Sequence, residues 1–351
     1  MKRSVRSTAA VTAALVMLAG CGGGGGDAPP VDALASDGAS DADPTDAATD
    51  AEAPLGDILV ELRAIPGLTV TEQSTMIEGY RFFLLSYQQP VDHAAPGGAR
   101  FTQRMTLLHR GYDAPMVAYN SGYFVSSRGV RAQLTLLLDG NQLSMEHRYF
   151  EPSRPSPADW TKLDIAQAAA DQHRITAALQ ARIYRRPWLT TGASKGGMTS
   201  LFHRRFYPDD VVATVAYVAP IDYPEDAVAS ADNRFFQFLA QVGTDAACRQ
   251  RLQDFQREVL LRGPAMRQRM GAPADYAQLL GVDRALEFAT EELPFIFWQY
   301  GRQSDCASIP GAAASDDEVF QFLDDTVSVA AYADADLTDY LPYYHQSATQ
   351  L

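Results

Sequence analysis

Short apolar runs alternate with longer amphipathic ones between residues 81 and 218. The first two runs alternate apolar and polar positions around a Pro-Gly-Gly turn, which predicts an antiparallel strand pair. The later runs are short and almost wholly apolar, as is typical of buried strands in a mostly parallel sheet. The predicted strands are residues 81–87, 101–109, 115–119, 143–146, 188–191 and 211–218.

A helix is predicted between two of these strands. Within residues 161–183 the apolar residues recur at helical spacing, and Thr161 followed by Asp164 has the pattern of a capping box. The order strand, helix, strand is that of a right-handed βαβ unit. The pattern therefore indicates an α/β fold with a doubly wound, mostly parallel sheet over residues 55–220.

The pattern changes beyond Pro220 to long helix-compatible stretches, such as residues 245–262 and 282–300. Residues 326–332 alternate in part and are the one candidate strand there. We therefore predict a helical cap over the sheet in residues 221–351, with a return toward the sheet at its end. Aromatic residues of this cap either line an apolar pocket suited to proline or form its core. They are Phe235, Phe236, Phe295, Phe297 and Trp298.

The first 54 residues differ from the rest in composition. A basic start, an apolar run and Leu18-Ala19-Gly20-Cys21 follow the order of a bacterial lipoprotein signal. Residues 1–20 are thus predicted to be a signal peptide, and Cys21 the lipidated start of an exported, membrane-anchored protein. An ordinary cleaved signal or a short buried helix is the alternative. Residues 21–54 hold eight acidic and no basic residues, which predicts a disordered acidic linker.

Charge argues against nucleic acid as a partner, because 26 basic residues face 43 acidic ones once the signal is removed. No Cys and His cluster has metal-ligand spacing and no phosphate loop is present, so we expect no metal and no other cofactor. Besides Cys21, the chain holds Cys248 and Cys306. They form either a disulfide of an oxidising compartment or two unpaired buried thiols.

A candidate nucleophile lies in Gly192-Ala193-Ser194-Lys195-Gly196, which fits the pattern G-x-S-x-G between a predicted strand and a predicted helix. In such a nucleophile elbow the serine attacks the substrate, and the N–H of the next residue, Lys195, binds the oxyanion. The loop after the strand at 115–119 offers Gly122 or Tyr123 for a second N–H. The side chain of Lys195 has no necessary role in this scheme.

The partners of Ser194 are harder to find. Folds with such an elbow place the catalytic acid and then the catalytic histidine after the serine in the chain. After Ser194 the only histidines are His203 and His345. His203 lies nine residues along the predicted helix, too far for a general base, and is interpreted as a surface residue. His345 would need Asp324 or Asp325 as its acid. The earlier histidines are interpreted as structural: His93, His109, His147 and His173.

The blocks GASKGGMTSLFHRRFYPDDV, AYVAP, EHRYFEPSRPSPADW and PFIFWQY resemble the secreted bacterial tripeptidyl aminopeptidase-like serine peptidases, relatives of the lysosomal Pro-Xaa carboxypeptidases. The resemblance runs from about residue 59 to the end. It implies an α/β-hydrolase fold with an inserted helical cap, cleavage near peptide N termini, often at proline, and Ser194 as nucleophile. It also implies that the last strands, with the acid and the histidine, belong to a further segment absent from this chain. A truncated inactive hydrolase and a carboxylesterase on the same fold are the alternatives.

An aminopeptidase must pair the buried ammonium of its peptide substrate with carboxylates. Glu146, at the end of a predicted strand, and Glu291 with Glu292, in the cap, are the candidates. A solvated surface or a local ion pair is the alternative role for each.

Overall fold

A seven-stranded mixed sheet forms the first part of the structure, a computed structural model that describes residues 55–221 and 229–350. The predicted signal peptide, Cys21 and the acidic linker lie outside the described residues. The strands are β1 (Leu68–Gln73), β2 (Arg81–Pro90), β3 (Arg100–His109), β4 (Met116–Asn120), β5 (Asn141–Met145), β6 (Trp188–Ala193) and β7 (Ala213–Tyr217). All six predicted strands are present, whereas β1 was not predicted.

The order across the sheet is β1-β2-β3-β5-β4-β6-β7. The pairs from β1 to β5 in this order are antiparallel, and β5, β4, β6 and β7 run parallel. Because β2 points the same way as the parallel strands, five of the seven strands share one direction. The carboxyl ends of β4, β5 and β6 meet at one edge, which is where ligands bind in such sheets.

Four helices belong to the sheet part: α1 (Ile58–Arg63), α2 (Gln133–Leu138), α3 (Ile165–Arg182) and α4 (Lys195–Phe206). α3 is capped by Asp164, whose carboxylate accepts a hydrogen bond from the Gln167 N–H. The predicted capping box of Thr161 and Asp164 is wrong, because Thr161 lies in a separate 3₁₀ turn capped by Asp159. A carboxylate at the N-cap satisfies the helix N–H by itself and needs no reciprocal partner.

Every regular element described between residues 229 and 350 is helical. The α-helices are α5 (Ala229–Gln241), α6 (Ala246–Leu261), α7 (Gly263–Arg267), α8 (Val282–Tyr300), α9 (Asp316–Val327), α10 (Asp334–Asp339) and α11 (Leu341–Thr349), and the other elements are 3₁₀ turns. The candidate strand at 326–332 is wrong. Val327 ends α9, Ser328 takes a left-handed conformation, and Val329–Tyr332 form a 3₁₀ turn. The apparent alternation arises because Val327, Val329 and Tyr332 all turn into the cap core.

Two large hydrophobic cores and a small cluster around Phe82 and Leu108 are found in the described residues. One packs against the sheet around residues such as Leu143, and the other lies within the cap around Phe255 and Leu293. Fully burying one such side chain contributes about 1.5–3 kcal/mol. The cap core also contains a disulfide between Cys248 and Cys306, whose Cα atoms are 5.4 Å apart. In the part of the chain that the structure describes, no helix has the length and apolar character needed to cross a membrane.

Candidate active site

Ser194 lies on a sharp turn between β6 and α4. Its φ of 53° and ψ of −126° are strained for a residue with a side chain, at a cost of about 1–3 kcal/mol. The Ser194 N–H donates to the Tyr217 carbonyl on β7 at 3.0 Å, which ties the turn to the next strand. This strained strand-to-helix turn is the arrangement that presents a nucleophilic serine at the carboxyl edge of a sheet.

The loop after β4 passes directly against this turn. Gly122 has a φ of +77°, and a Cβ added there would lie 2.5 Å from Gly196 N and 2.8 Å from the Lys195 carbonyl carbon. Only glycine allows both this conformation and this approach. The two segments that carry the predicted oxyanion donors are therefore in contact.

The side chain of Lys195 turns inward beneath this loop. It is only 3% exposed, and its Nζ donates to the Gly122 carbonyl at 2.9 Å. The ammonium also lies 5.6 Å and 5.7 Å from the ring centres of Tyr123 and Phe150. Burial lowers the pKa of Lys195 to about 7. No role was predicted for this side chain, whereas the structure shows it hydrogen-bonded to the loop after β4.

Tyr123 faces the nucleophile with its side chain rather than with its backbone. Its N–H donates to Ser121 Oγ at 3.0 Å, so this N–H, one of the two predicted second oxyanion donors, already has a partner. The Gly122 N–H is the other candidate. Burial raises the pKa of the Tyr123 phenol and outweighs a hydrogen-bonding interaction with Ser194 that lowers it. The phenol is thus a neutral group beside Ser194.

Aromatic rings from distant parts of the chain surround Tyr123. Phe150 lies 5.5 Å, Tyr340 5.7 Å and Tyr343 5.8 Å from it, measured between ring centres. Phe124 packs edge-on against Phe150 at 5.0 Å. This cluster was not predicted, because Tyr340, between α10 and α11, and Tyr343, in α11, reach it from about 200 residues away in sequence.

The aromatic residues predicted to line a pocket pack mainly with one another in the cap. Phe235 contacts Phe295 at 5.9 Å, and Phe297 contacts Trp298 at 5.3 Å. Phe297 belongs to the buried cap core, whereas Phe236 is 71% exposed. The core alternative thus holds for Phe297 and Trp298, whereas Phe236 lies at the surface.

His203 is fully buried, so its interpretation as a surface residue is wrong. Its Nε2 contacts Asp210 at 2.8 Å, and the same carboxylate contacts His173 Nδ1 at 2.9 Å. Burial raises the pKa of Asp210, but the hydrogen bonds and charges of the two histidines lower this pKa by a larger amount. The net shift of the Asp210 pKa is therefore downward. One face of α4 is buried and carries Gly196, Thr199, Ser200 and His203. Their helical spacing is the sequence signal from which the burial of His203 could have been predicted.

His345 lies in α11, where its ring contacts Trp160 at 5.4 Å. Asp324 accepts from the Val329 N–H, and Asp325 accepts from the Gln321 side chain. Each of these three residues therefore contacts another group, and these contacts do not join His345 to Asp324 or Asp325.

The remaining histidines make structural contacts. His93 pairs with Asp171 at 2.7 Å, and His109 Nδ1 contacts the Tyr184 hydroxyl at 2.9 Å. Burial lowers the pKa of His109 to about 4. His147 is held through Nδ1 by the carbonyl of Arg148, and burial lowers its pKa strongly. Both His109 and His147 are therefore neutral near pH 7.

The three candidate carboxylates have different surroundings. Glu146 is fully buried, and its oxygens accept from Arg104, Ser153 Oγ and the Val125 N–H. Glu291 is exposed. Glu292 is 7% exposed and accepts from the Tyr332 hydroxyl at 2.5 Å.

Glu292 interacts electrostatically with two tyrosines of α11. Burial raises the pKa of Tyr344, and the Glu292 carboxylate raises it further. The same carboxylate adds to the effect of burial on the pKa of Tyr343, whose ring contacts Tyr123. Across residues 55–221 and 229–350, no group of three or more His, Cys, Asp or Glu is arranged to hold a metal ion.

Known proteins place this site in context. The chain is 47% identical over 304 residues to a prolyl tri/tetrapeptidyl aminopeptidase of Streptomyces mobaraensis, a match that covers 85% of the chain and 62% of the relative. The chain thus spans less than two thirds of the length of that curated relative.

Two solved structures to which the chain is similar are distant from it. Acetyl xylan esterase 1 from Thermoanaerobacterium is 17% identical with a TM-score of 0.32, covering 52% of this chain and 60% of its own. A glucuronoyl esterase from Teredinibacter turnerae is 12% identical with a TM-score of 0.30, covering 44% and 46%. Neither likeness is close enough to bear on function. The model of the PS-10 peptidase S37 family, in contrast, matches residues 51–351, and the chain belongs to that family.

Proposed function

We propose that this protein is an exported serine peptidase that removes short peptides, of the tripeptidyl or prolyl type, from peptide N termini through an acyl-enzyme on Ser194. The observation that carries the proposal is the strained Ser194 turn, set against the Gly122 loop and the Tyr123 phenol. The family supports peptidase chemistry, and the name of the Streptomyces mobaraensis relative supports the substrate class. The proposed route to the membrane is lipid attachment at Cys21.

In the proposed reaction, Ser194 Oγ attacks the scissile carbonyl carbon and the carbonyl electrons move to its oxygen. The N–H groups of Lys195 and Gly122 are the proposed donors to this oxyanion. The carbonyl then re-forms as the C–N bond breaks, and the amine leaves with the proton that the Ser194 hydroxyl lost. Water hydrolyses the resulting ester, adding its OH to the acyl carbon and returning a proton to Ser194 Oγ. His203 is not assigned as the base, because it is buried nine residues from Ser194 along α4, about 13 Å at 1.5 Å per residue. His345 is not assigned either, because its ring packs on Trp160.

We assign the substrate ammonium to Glu292 rather than to Glu146 or Glu291. Both oxygens of Glu146 are engaged by groups of the sheet part, and Glu291 faces solvent. Glu292 is buried beside the tyrosines that reach the nucleophile. The aromatic cluster around Tyr123 would provide the apolar surface for proline.

The test combines labelling with hydrolysis. A fluorophosphonate should label Ser194, and a tripeptide p-nitroanilide ending in proline should be hydrolysed. Ser194→Ala should abolish labelling and lower kcat by at least about 1000-fold. Ser74→Ala, at an exposed loop position, is the control and should change neither. Hydrolysis that survives in Ser194→Ala, or cleavage of acyl esters without peptide turnover, would overturn the proposal.

A further inference from the structure

The Lys195 side chain is a buried cation next to the nucleophile that the proposed reaction does not use. Lysine is rarely buried, because removing an ammonium from water is costly unless it is paired. The groups around this ammonium are a backbone carbonyl and two aromatic rings. An apolar side chain of similar size would fill the same space at a lower free-energy cost. The fold therefore gains something other than stability from a lysine here.

Hydrogen bonds of the loop after β4 indicate that the lysine fixes the position of this loop. The peptide unit joining Gly122 to Tyr123 is held on both sides: its carbonyl accepts from Lys195 Nζ at 2.9 Å, and its N–H donates to Ser121 Oγ at 3.0 Å. Ser121 Oγ in turn donates to the Met145 carbonyl at 3.2 Å. With both its polar groups fixed, this peptide cannot rotate without breaking a buried hydrogen bond.

Further ties join the same loop to the end of β5. The Tyr123 carbonyl accepts from the His147 N–H at 2.9 Å, and the Val125 N–H donates to Glu146 at 3.0 Å. These contacts hold the loop to the sheet. Lys195 holds it to the elbow, because its own backbone begins α4 directly after Ser194. It thus couples the loop to the nucleophile across the narrow contact at Gly122.

We propose that Lys195 is a positioning residue whose ammonium fixes the Gly122 carbonyl, and thereby sets the loop of residues 121–125 and the Tyr123 phenol against Ser194. The inference rests on the proposed function for its effect on catalysis, but its structural part does not. Burial lowers the pKa of Lys195 to about 7, and its Nζ carries N–H groups that can donate to the Gly122 carbonyl in either protonation state. The neighbouring His147 and Tyr123 are kept neutral by burial.

The first experiment is independent of activity. Hydrogen exchange of the amides in residues 121–125 is compared between Ser194→Ala and the double variant Ser194→Ala, Lys195→Met. We expect exchange to be about 10- to 100-fold faster in the double variant, because the loop loses the hydrogen bond to the Gly122 carbonyl. Each factor of ten in the exchange rate corresponds to about 1.4 kcal/mol of lost protection. Lys162→Met in the same Ser194→Ala background, which removes a partly exposed lysine paired with Asp92, is the matched control and should leave this loop unchanged. Unchanged exchange in the Lys195 variant would overturn the proposal, whatever the fate of the proposed function.

The second experiment separates positioning from substrate binding. Lys195→Met should lower kcat for the tripeptide p-nitroanilide and the rate of fluorophosphonate labelling by about 10- to 100-fold, with KM changed by less than about threefold. Lys195→Arg keeps a cationic donor and should retain more kcat than Lys195→Met. If Lys195→Met does not fold, the proposal requires a folded Lys195→Arg to keep kcat within about tenfold of the parent. A folded Lys195→Met with unchanged kcat, or an inactive Lys195→Arg, contradicts it.

Discussion

Alanine at Gly122 should separate the loop after β4 from the nucleophile elbow. The new Cβ would lie 2.5 Å from Gly196 N, and an ordinary contact of about 3.4 Å requires the two segments to move apart by about 1 Å. Both are anchored: Gly196 lies in α4, and the Gly122 peptide is held by Lys195 and Ser121. The strain cannot be relieved by a side-chain rotation, since the clash is between backbone segments.

The expected cost has two parts. A left-handed conformation with a Cβ costs about 1–2 kcal/mol, and overpacking adds typically about 1–3 kcal/mol. A displacement of about 1 Å at a reacting group costs about 100-fold in rate. Gly122→Ala should therefore lower the free energy of unfolding, measured in urea, by about 2–5 kcal/mol. It should also slow fluorophosphonate labelling of Ser194 by about 100-fold.

Gly281→Ala is the matched control. Gly281 has a φ of +79°, almost the same as Gly122, but a Cβ there meets nothing within 4 Å. It should lose only the conformational part, about 1–3 kcal/mol for a side chain at its φ of 79° and ψ of 150°, with unchanged labelling. If the two variants lost equal stability and labelled Ser194 at equal rates, the close approach of loop and elbow would not exist as described.

Two further predictions concern the cap. Glu292→Gln should raise KM for the tripeptide substrate by about 10- to 100-fold, since a hydrogen bond to a charged group contributes about 1.5–3 kcal/mol. The variant of its exposed neighbour, Glu291→Gln, is the control and should leave KM unchanged. Equal KM values for the two variants in steady-state kinetics would show that Glu292 does not bind the substrate ammonium. Replacing Cys248 and Cys306 by serine opens a loop of 58 residues and should lower the free energy of unfolding in urea by about 2–4 kcal/mol. Dithiothreitol should bring the parent protein to the same midpoint, and a parent protein insensitive to reductant would contradict this.

Much of the sheet and the elbow could be predicted because their signals are local. The strands at β2 to β7 follow from short apolar or alternating runs, and the elbow follows from glycines at fixed distances from Ser194. β1 was missed because only Leu68 and Val70 of its six residues are buried, so its pattern is weak. The strand predicted at 326–332 failed because a 3₁₀ turn can bury the same spacing of apolar residues.

The inward-facing polar side chains could not be predicted in the same way. His203 and Lys195 are charged or polar by type, and only the packing of α4 against its neighbours decides that they are buried. The Tyr123 N–H was a reasonable oxyanion donor until Ser121 Oγ was found to hold it.

The sequence by itself determined the α/β order of elements, the position of the nucleophile and the family resemblance, because each depends on residues close together in the chain. Tertiary structure alone decided that Tyr340 and Tyr343 reach Tyr123, that Glu146 is engaged by Arg104, and that Lys195 binds the loop beneath Ser194. These contacts join segments far apart in sequence. They depend on how helices and loops pack, and no periodicity along the chain encodes that packing.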